Sequence, residues 1–309
     1  MIARRMSGLL SGLRHSSAWH KFVSSPVTVT AAIMAGTMII CALFAPLVAP
    51  HDPYDPLSID LMNSLIPPVW TTDGSWSFIL GTDDQGRDLL SAIIYGTRIS
   101  MIVGFVSVSL AVLIGLAGGL AAGYFGGLCD AVIMRLVDIQ MTFPAIMVAL
   151  LVDGISRGIL PKDQHDALAL FVIVLSLALS IWPQVARTVR ASTMVEKNRE
   201  YVQAARVMGC SSPVIILRHV MPNVLGPVLV IATINLGTAI LGEATLSFLG
   251  VGVPITEPSL GTLIRIGNNF LFSGERWLVF FPGITLALLV VAVNLLGDWL
   301  RDVLDPKLR

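Results

Sequence analysis

The sequence predicts an all-α, polytopic membrane protein with six transmembrane helices, and three observations carry this prediction. The chain of 309 residues is 55% apolar and only 13% charged, whereas a soluble domain has about 25% charged residues. Its apolar residues form long runs without charged side chains. These runs do not alternate with polar residues as the strands of a membrane barrel do. A soluble enzyme, a secreted disulfide scaffold and a disordered chain are therefore excluded.

Five uncharged stretches are long enough to cross a bilayer, which takes about 20 apolar residues. They are residues 22–50, 99–129, 167–186, 220–242 and 277–297. A sixth stretch, 139–152, has only 14 residues. It reaches spanning length if residues 132–138 join it, which places Arg135 and Asp138 near one end. The sequence thus predicts six spans, of which the third is the shortest run.

Basic residues set the orientation of the spans. With a cytoplasmic N-terminus, fourteen of the 20 Lys and Arg residues fall in inside segments and six in outside segments. Both termini are therefore predicted to be cytoplasmic. The first apolar run is too long for a signal-peptide core and is interpreted as a retained span. The predicted layout is a cytoplasmic tail 1–26, a first helix 27–50, an extracytoplasmic loop 51–98, a membrane core 99–298 that includes a cytoplasmic loop 183–222, and a cytoplasmic tail 299–309.

The second span carries a small residue at every fourth position. These residues are Ser107, Ala111, Gly115, Gly119 and Gly123. Such spacing forms a ridge on one side of a helix and lets a second backbone approach closely. We therefore predict that this ridge is a helix-packing surface.

The extracytoplasmic loop ends in a group of acidic residues followed by an apolar segment. Asp83 or Asp84 is predicted to cap an interfacial helix that carries Leu89, Leu90, Ile93 and Ile94 on one face. Arg87 and Asp88 can form ion pairs, be solvated, or contact a partner protein. The residues alone do not decide among these three roles.

Polar side chains inside the spans are scarce. Glu243 lies about 20 residues after Val224, close to the outer face, and is either a functional intramembrane carboxylate or an interfacial one. Asn235 and Asn294 either bond between helices or line a path. Ion-coupled carriers need ionisable relays at mid-membrane, and none is evident in this sequence.

No catalytic or metal site is visible in the sequence. The cysteines Cys41, Cys129 and Cys210 are too few and too scattered for disulfides or a metal site. The chain lacks a phosphate-binding Gly-x-x-x-x-Gly-Lys-Ser/Thr loop, a His-Glu-x-x-His pair and a nucleophile elbow. The net charge is zero, so nothing points to nucleic acid. We therefore expect no enzyme activity and no cofactor in this chain.

The cytoplasmic loop predicts two short helices joined at a glycine. Residues 199–208 are rich in helix formers, and Gly209 can adopt the left-handed conformation that ends a helix. Ser211 or Ser212 can cap a second helix with Pro213 in its first turn, and Pro222 is predicted to end it. Ala204 and Ala205 would form a flat surface, with Tyr201, Val202 and Val207 as apolar anchors that dock into a partner.

This loop resembles the Glu-Ala-Ala coupling loop of ABC importer permeases, with Gly209 and Pro222 at the family's spacing. Gln203 stands where the family has Glu, His219 where it has Ile, and Met221 where it has Leu. The resemblance implies that the ATPase-coupling residues are Glu200, Tyr201, Gln203, Ala204, Ala205, Gly209 and Pro222.

Four further segments resemble the C-type permeases of the dipeptide and oligopeptide branch: residues 80–88, 95–100, 246–252 and 294–306. The resemblance implies a type I ABC importer permease in a bacterial inner membrane, in contact with membrane lipid. It also implies a second homologous permease, two cytoplasmic ATPase subunits that bind ATP and Mg²⁺, and an extracytoplasmic solute-binding protein. Asp83, Arg87 and Asp88 would contact the binding protein or act in gating, and Asn235 and Glu243 would line the translocation path.

The substrate and the source of energy are the points left open by the sequence. The resemblance implies di- or oligopeptides, with nickel complexes, glutathione and opine- or sugar-like solutes as alternatives. An ion-coupled secondary carrier is the alternative mechanism. An exporter and a membrane-embedded enzyme fit less well, because no fused ATPase and no paired catalytic groups are seen.

Overall fold

The computed structural model describes residues 22–55, 60–159, 161–253 and 258–304, without the side chains of residues 162–167 and 304. In that part of the chain the regular structure is helical, apart from an isolated bridge between Thr82 and Asp88. The helices are α1 (Pro26–Leu43), α2 (Ala45–Val48), α3 (Leu89–Phe125), α4 (Gly127–Met141), α5 (Ala145–Ile159), α6 (Lys162–Glu196), α7 (Glu200–Val207), α8 (Ser212–Ile215), α9 (Met221–Phe248), α10 (Leu260–Asn268) and α11 (Trp277–Leu304). Residues 1–21 of the predicted N-terminal tail lie outside the described residues, whereas residues 299–304 of the predicted C-terminal tail are the last turns of α11.

Five helical segments of the described chain are long and apolar enough to cross a membrane. They are α1, α3, the Leu168–Glu196 part of α6, the continuous helix Ser212–Phe248, and the Trp277–Val303 part of α11. The third predicted span is wrong as a single helix, because α4 and α5 meet at an angle of 94°. The break lies at residues 142–144. Pro144 has no N–H to donate and disfavours helical geometry at the residue before it.

The predicted interfacial helix in loop 51–98 is also wrong, because its residues form the first turns of α3. This helix continues without a break for 37 residues, a length of about 55 Å. Asp88, and not Asp83 or Asp84, is its N-cap residue. The Asp88 carboxylate accepts hydrogen bonds from the Ser91 N–H at 3.0 Å and the Ser91 hydroxyl at 2.5 Å.

Helix α6 extends beyond the predicted span, so that residues 183–196 are helical and not part of a loop. The apolar run ends near Arg187 and Arg190, and both side chains form ion pairs with α4. Arg187 Nη2 lies 2.6 Å from Asp138 Oδ1, and Arg190 Nε lies 2.5 Å from Asp130 Oδ1. These pairs let the helix continue into a charged segment.

The predicted ridge of small residues is confirmed as a packing surface. Ser107 and Ala111 are buried, and the three glycines of the ridge contact α6. A Cβ atom added to each glycine would lie between 2.5 and 2.7 Å from a Cβ atom of α6, in the pairs Gly115–Val185, Gly119–Val189 and Gly123–Thr193. Such contacts are too short for any side chain at these positions. The glycines therefore set the distance between α3 and α6.

We expect Gly119→Val to destabilise the bundle, because the new side chain forces α3 and α6 apart. The expected loss of unfolding free energy is about 1–3 kcal/mol. Gly36→Val in α1 is the matched control, since a Cβ atom there has no neighbour within 4 Å. Thermal unfolding of both variants in the same detergent checks this prediction, and an equal stability of the two variants would contradict it.

Two apolar clusters lie at opposite ends of α3. One surrounds Leu89 at the start of the helix and includes α10 residues such as Leu260. The other surrounds Leu120 and Tyr124 near the end of α3 and includes Val202 of α7. The short helix α7 is therefore packed onto the same core as the long helices.

Candidate functional site at the two ends of the bundle

Helix α7 ends in a tight glycine turn. Gly209 has a φ of +80°, which is the left-handed conformation that glycine adopts without steric cost. The Gly209 N–H donates to the Arg206 carbonyl and the Cys210 N–H donates to the Ala205 carbonyl, both at 3.1 Å. These two hydrogen bonds form a Schellman motif. The predicted end of this helix at Gly209 is confirmed.

The predicted end of the second helix at Pro222 is wrong. Pro222 lies in the first turn of α9, and the helix runs from Ser212 to Phe248. A wide π turn at Ile216–Val220 precedes the proline, and the Met221 N–H donates to the Ile216 carbonyl. In a π turn each backbone N–H donates to the carbonyl five residues earlier instead of four. This change in the hydrogen-bond pattern comes just before Pro222, which has no N–H to donate. Ser211 is at the N-cap position, without a side-chain cap bond.

The residues that are buried on α7 and those that are exposed are not the ones that the sequence predicted. Val202 and Ala205, which were expected in a docking surface, are buried against the core of the chain. Their spacing of three residues places both on the inner side of the helix. Ala204, Val207 and Met208 are exposed. Glu200 and Gln203 are also exposed.

A polar cluster holds α7 to the neighbouring helices. The Tyr201 hydroxyl donates to the Glu196 carboxylate at 2.5 Å, and the Asn223 amide donates to the Tyr201 oxygen at 2.9 Å and to the His219 carbonyl at 2.8 Å. Partial desolvation and the hydrogen bond to Glu196 raise the pKa of Tyr201 above its usual range, although the residue is still 41% exposed. The tyrosine therefore stays protonated at neutral pH and remains a donor. Tyr201 thus links the end of α6 to the start of α9.

Gln203 makes a contact that an ionised glutamate at this position could not make. Its amide donates a hydrogen bond to the Asn198 carbonyl at 3.1 Å. An ionised glutamate has no donor at this atom. The Gln203 amide thus adds a hydrogen bond across the α6–α7 turn.

Two basic side chains attach the α7 region to the end of α3. The Lys197 ammonium donates to the Gly123 carbonyl at 2.6 Å, which satisfies a carbonyl in the last turn of α3. The Arg206 guanidinium lies 5.8 Å from the centre of the Tyr124 ring, within the range of a cation–π contact. A displacement of α7 therefore acts directly on α3.

Residues 60–88, which we call the cap, fold over the start of α3. Thr82 connects the two halves of the cap, because its hydroxyl donates to the Asn63 carbonyl at 2.5 Å and accepts from the Ile66 N–H at 2.8 Å. The Ser64 hydroxyl donates to the Asp84 carbonyl at 2.9 Å. The loop is therefore an ordered unit in its described part.

Asp83 and Arg87 form a buried ion pair inside the cap. Arg87 Nε lies 2.6 Å from Asp83 Oδ2, and both side chains are only 2% exposed. Asp83 Oδ1 accepts the N–H groups of Gln85 and Arg87 at 2.9 Å. Asp88 is buried as well. Of the roles left open by the sequence, ion pairing holds for Arg87, whereas Asp88 is a helix cap, a role not predicted for it; contact of either residue with a partner stays a prediction.

Glu243 lies inside the bundle and not at its surface. It is 0% exposed, and its two oxygens accept hydrogen bonds from Ser100 and Ser247, each at 2.7 Å. The Leu260 N–H contacts Ser100 Oγ at 3.4 Å. Serines from α3 and α9 therefore enclose the carboxylate, and whether it lies near the outer face of the membrane stays a prediction. It connects these two helices close to the start of α10.

The two asparagines of the spans also lie between helices. Asn235 is buried in α9. Asn294 of α11 packs against α9 at Gly237, where an added Cβ atom would overlap the Asn294 amide. This contact fits the structural interpretation of Asn294. A role of Asn235 and Glu243 in a translocation path stays a prediction.

Sequence reasoning missed a polar site around Pro183, in the middle of α6. Because Pro183 has no N–H, it leaves the carbonyl of Leu179 without its helical partner. The Gln140 amide of α4 donates to that carbonyl, and the Trp182 indole N–H donates to the Gln140 oxygen at 2.8 Å. The proline within an apolar run was the available signal for this site.

The described residues contain no group of three or more His, Cys, Asp or Glu side chains that could hold a metal ion. What they do contain is a bundle of membrane-spanning length and a short helix fixed to its long helices through a glycine turn. This is the architecture of a polytopic helical membrane protein.

Residues 114–309 match the family described as "Binding-protein-dependent transport system inner membrane component". Residues 16–68 match the N-terminal TM domain of oligopeptide transport permease C. The chain therefore belongs to the family of binding-protein-dependent transport system inner membrane components. The predicted family is confirmed.

Relatives agree with this assignment, and a solved structure shares the fold. The dipeptide transport system permease protein DppC of Haemophilus influenzae is 38% identical, over 94% of this chain and 94% of the relative. The DppC protein of Escherichia coli K12 is 40% identical, over 94% and 92% of the two chains. A chain of the inward-facing MetNI methionine ABC transporter has a TM-score of 0.55 at 21% identity and covers 70% of this chain and 98% of its own. This last likeness confirms the fold class.

Proposed function

We propose that this chain is one of two permease subunits of an ATP-driven importer of di- or oligopeptides. The observation that carries the proposal is α7, a short helix with one buried and one exposed face. Its buried face joins the core that contains α3, α6 and α9. Its exposed face offers Ala204, Val207 and Met208 to a partner.

Helix α7 is suited to transmit the movement of ATPase subunits. The Tyr201 hydrogen bonds, the Lys197 bond to α3 and the Arg206 contact with Tyr124 fix it to three long helices. When ATP draws the two ATPases together, a docked α7 moves with them. The long helices then rock and open the path to the other side of the membrane. The coupling residues under this proposal are Glu200, Tyr201, Gln203, Ala204, Gly209 and Pro222, with Ala205 supporting them from the inner face.

Under this proposal, other chains bind ATP and recognise the substrate. Two cytoplasmic ATPase subunits bind ATP and Mg²⁺, and a second homologous permease completes the path. An extracytoplasmic binding protein delivers the substrate to the side of the cap, whose surface is held in shape by Asp83, Arg87 and Asp88. The chain itself uses no cofactor. It lies in a bacterial inner membrane with both termini in the cytoplasm.

The relatives named as dipeptide and di/tripeptide permeases support a peptide as the substrate. A nickel complex, glutathione or an opine-like solute is the competing set of substrates. An ion-coupled carrier is the competing mechanism, and it needs ionisable side chains at mid-membrane.

Purification of the chain from its native membrane in a gentle detergent tests this proposal. Mass spectrometry is expected to find a second permease and one or two ATPase chains with it. The assembly, reconstituted with its binding protein, is expected to take up labelled trialanine only when ATP is present. Uptake by the chain alone without ATP would make it a carrier or channel, and ATP-driven uptake of another solute but no peptide would contradict the substrate.

A further inference from the structure

A cavity of about 420 Å³ lies between the start of α1 and the end of α11, and we call it the end cavity. One wall is the first turn of α1 with its N-cap residue Ser25, and the other is one face of the last turns of α11. The residues of that face are Leu295, Asp298, Trp299, Asp302 and Val303. The volume is in the range of protein cavities that hold a ligand.

The polar groups on the α1 side of the cavity are bonded, whereas those on the α11 side are not. Ser25 Oγ accepts hydrogen bonds from the Thr28 N–H at 3.3 Å and the Thr28 hydroxyl at 2.9 Å. In the described part of the chain, the exposed carboxylates of Asp298 and Asp302 have neither an ion pair nor a hydrogen-bond partner. The Trp299 indole N–H is buried and has no acceptor among the described residues. The α11 wall therefore offers acceptors to a cation and one donor to a carbonyl.

The position of the two carboxylates on α11 favours a cation in the end cavity. Asp302 lies in the last turn of the helix, where the helix dipole already carries a partial negative charge. Asp298 lies one turn earlier on the same face, and like charges four residues apart repel each other. Arg301, the basic residue of the last turn, is not among the residues that line the cavity. A basic group from another segment would therefore relieve both unfavourable interactions.

The residues that precede Phe22 supply such a basic group. Segment 1–21 lies outside the described residues, and its sequence has four Lys and Arg residues but no Asp or Glu. The segment joins the described chain beside the end cavity, because the Phe22 ring packs edge-on against Trp299 with 5.2 Å between the ring centroids. Lys21 adjoins Phe22, and consecutive Cα atoms are only about 3.8 Å apart. The flexible four-carbon side chain of Lys21 is therefore in reach of both carboxylates.

We propose that the end cavity is the docking site of the N-terminal segment of this chain, with the Lys21 ammonium between the carboxylates of Asp298 and Asp302. The residues before Lys21 fill the remaining space, and one of their backbone carbonyls accepts the Trp299 N–H. Docking fixes the first span to the last, since α1 and α11 form the two walls of the cavity. The inference goes beyond the proposed function, because the contact does not depend on the transported solute.

Cross-linking with a water-soluble carbodiimide tests the inference in open fragments of the native membrane, where the chain keeps its lipids and partners. The reagent joins an amine to a carboxylate only where the two groups touch, and mass spectrometry identifies what has been joined. Lys21 is expected to be joined to Asp298 or Asp302. The absence of this link would overturn the inference, as would a link from these carboxylates to Lys307, to the amine of phosphatidylethanolamine or to a lysine of another subunit in its place.

Limited digestion with trypsin of the purified protein in detergent gives a second measurement. The double variant Asp298→Asn and Asp302→Asn keeps the size of both side chains and removes their charges. Trypsin is expected to cut segment 1–21 of this variant roughly tenfold faster than that of the wild type, because the charge-assisted bonds that hold the segment are lost. Asp138→Asn is the matched control, since Asp138 is also exposed but pairs with Arg187, away from the end cavity. It is expected to leave the rate unchanged, and equal rates in the wild type and the double variant would overturn the inference.

Discussion

Arg87→Met is expected to lower the free energy of unfolding by about 3–5 kcal/mol, because it leaves the Asp83 carboxylate buried without its cation. Both side chains are only 2% exposed, and their ion pair has an N–O distance of 2.6 Å. The carboxylate also organises the turn through the N–H groups of Gln85 and Arg87. Loss of the pair therefore unfolds the cap at the start of α3.

The chain provides a matched control for this substitution. Arg157 pairs with Asp153 through the same two atom types at 2.7 Å and the same spacing of four residues, but the Arg157 side chain is 52% exposed. Arg157→Met is therefore expected to cost about 0–1 kcal/mol, because solvent screens the pair. Unfolding of the two variants in one detergent, followed by heat or denaturant, measures the difference. Equal losses of unfolding free energy in both variants would show that burial does not make the Asp83–Arg87 pair more important for stability than an exposed pair.

Gly209→Pro is expected to reduce ATP-driven uptake roughly a hundredfold, the equivalent of about 3 kcal/mol. Gly209 has a φ of +80°, whereas proline fixes φ near −65°. Proline also removes the N–H that bonds to the Arg206 carbonyl. The exposed face of α7 then no longer meets its partner at the required angle, although the long helices keep their packing.

Gly209→Asn is the control for this position, because asparagine is among the few residues that adopt the left-handed conformation. It is expected to keep most of the uptake. The amount of each variant in the membrane fraction is measured beside the uptake, so that failed insertion is separated from failed coupling. Normal uptake by properly inserted Gly209→Pro protein would show that the α7 turn does not couple the subunits.

The class of fold follows directly from the sequence, while the ends of the helices do not. Long apolar runs determine the spans because every backbone group in lipid must be bonded within its own segment. The end of α6 depends on ion pairs with Asp130 and Asp138, which lie 60 and 49 residues away from their partners in sequence. A proline within α6 is tolerated because Gln140 bonds to the carbonyl it leaves free. Such distant partners are not visible in a local pattern.

In the candidate site, too, some features follow from the local sequence and others depend on distant residues. The helix before Gly209 and its left-handed end follow from local composition, and both are found. The orientation of α7 does not, because Val202 and Ala205 turn inward only in contact with residues of α3 and α9. Burial of Glu243 likewise requires Ser100, which lies 143 residues away. Tertiary contacts therefore decide which of the predicted residues are exposed to a partner.

The most direct test of the central claim is site-specific cross-linking of α7 to an ATPase chain in the native membrane. Two valines of the same helix make a matched pair, since Val207 is 90% exposed and Val202 is 0% exposed. Each is replaced by cysteine in a protein whose own cysteines Cys41, Cys129 and Cys210 are changed to alanine. The account predicts that Val207→Cys forms a cross-link to an ATPase subunit and that Val202→Cys forms none. Cross-linking to an ATPase at neither position, in an assembly that still transports, would contradict it.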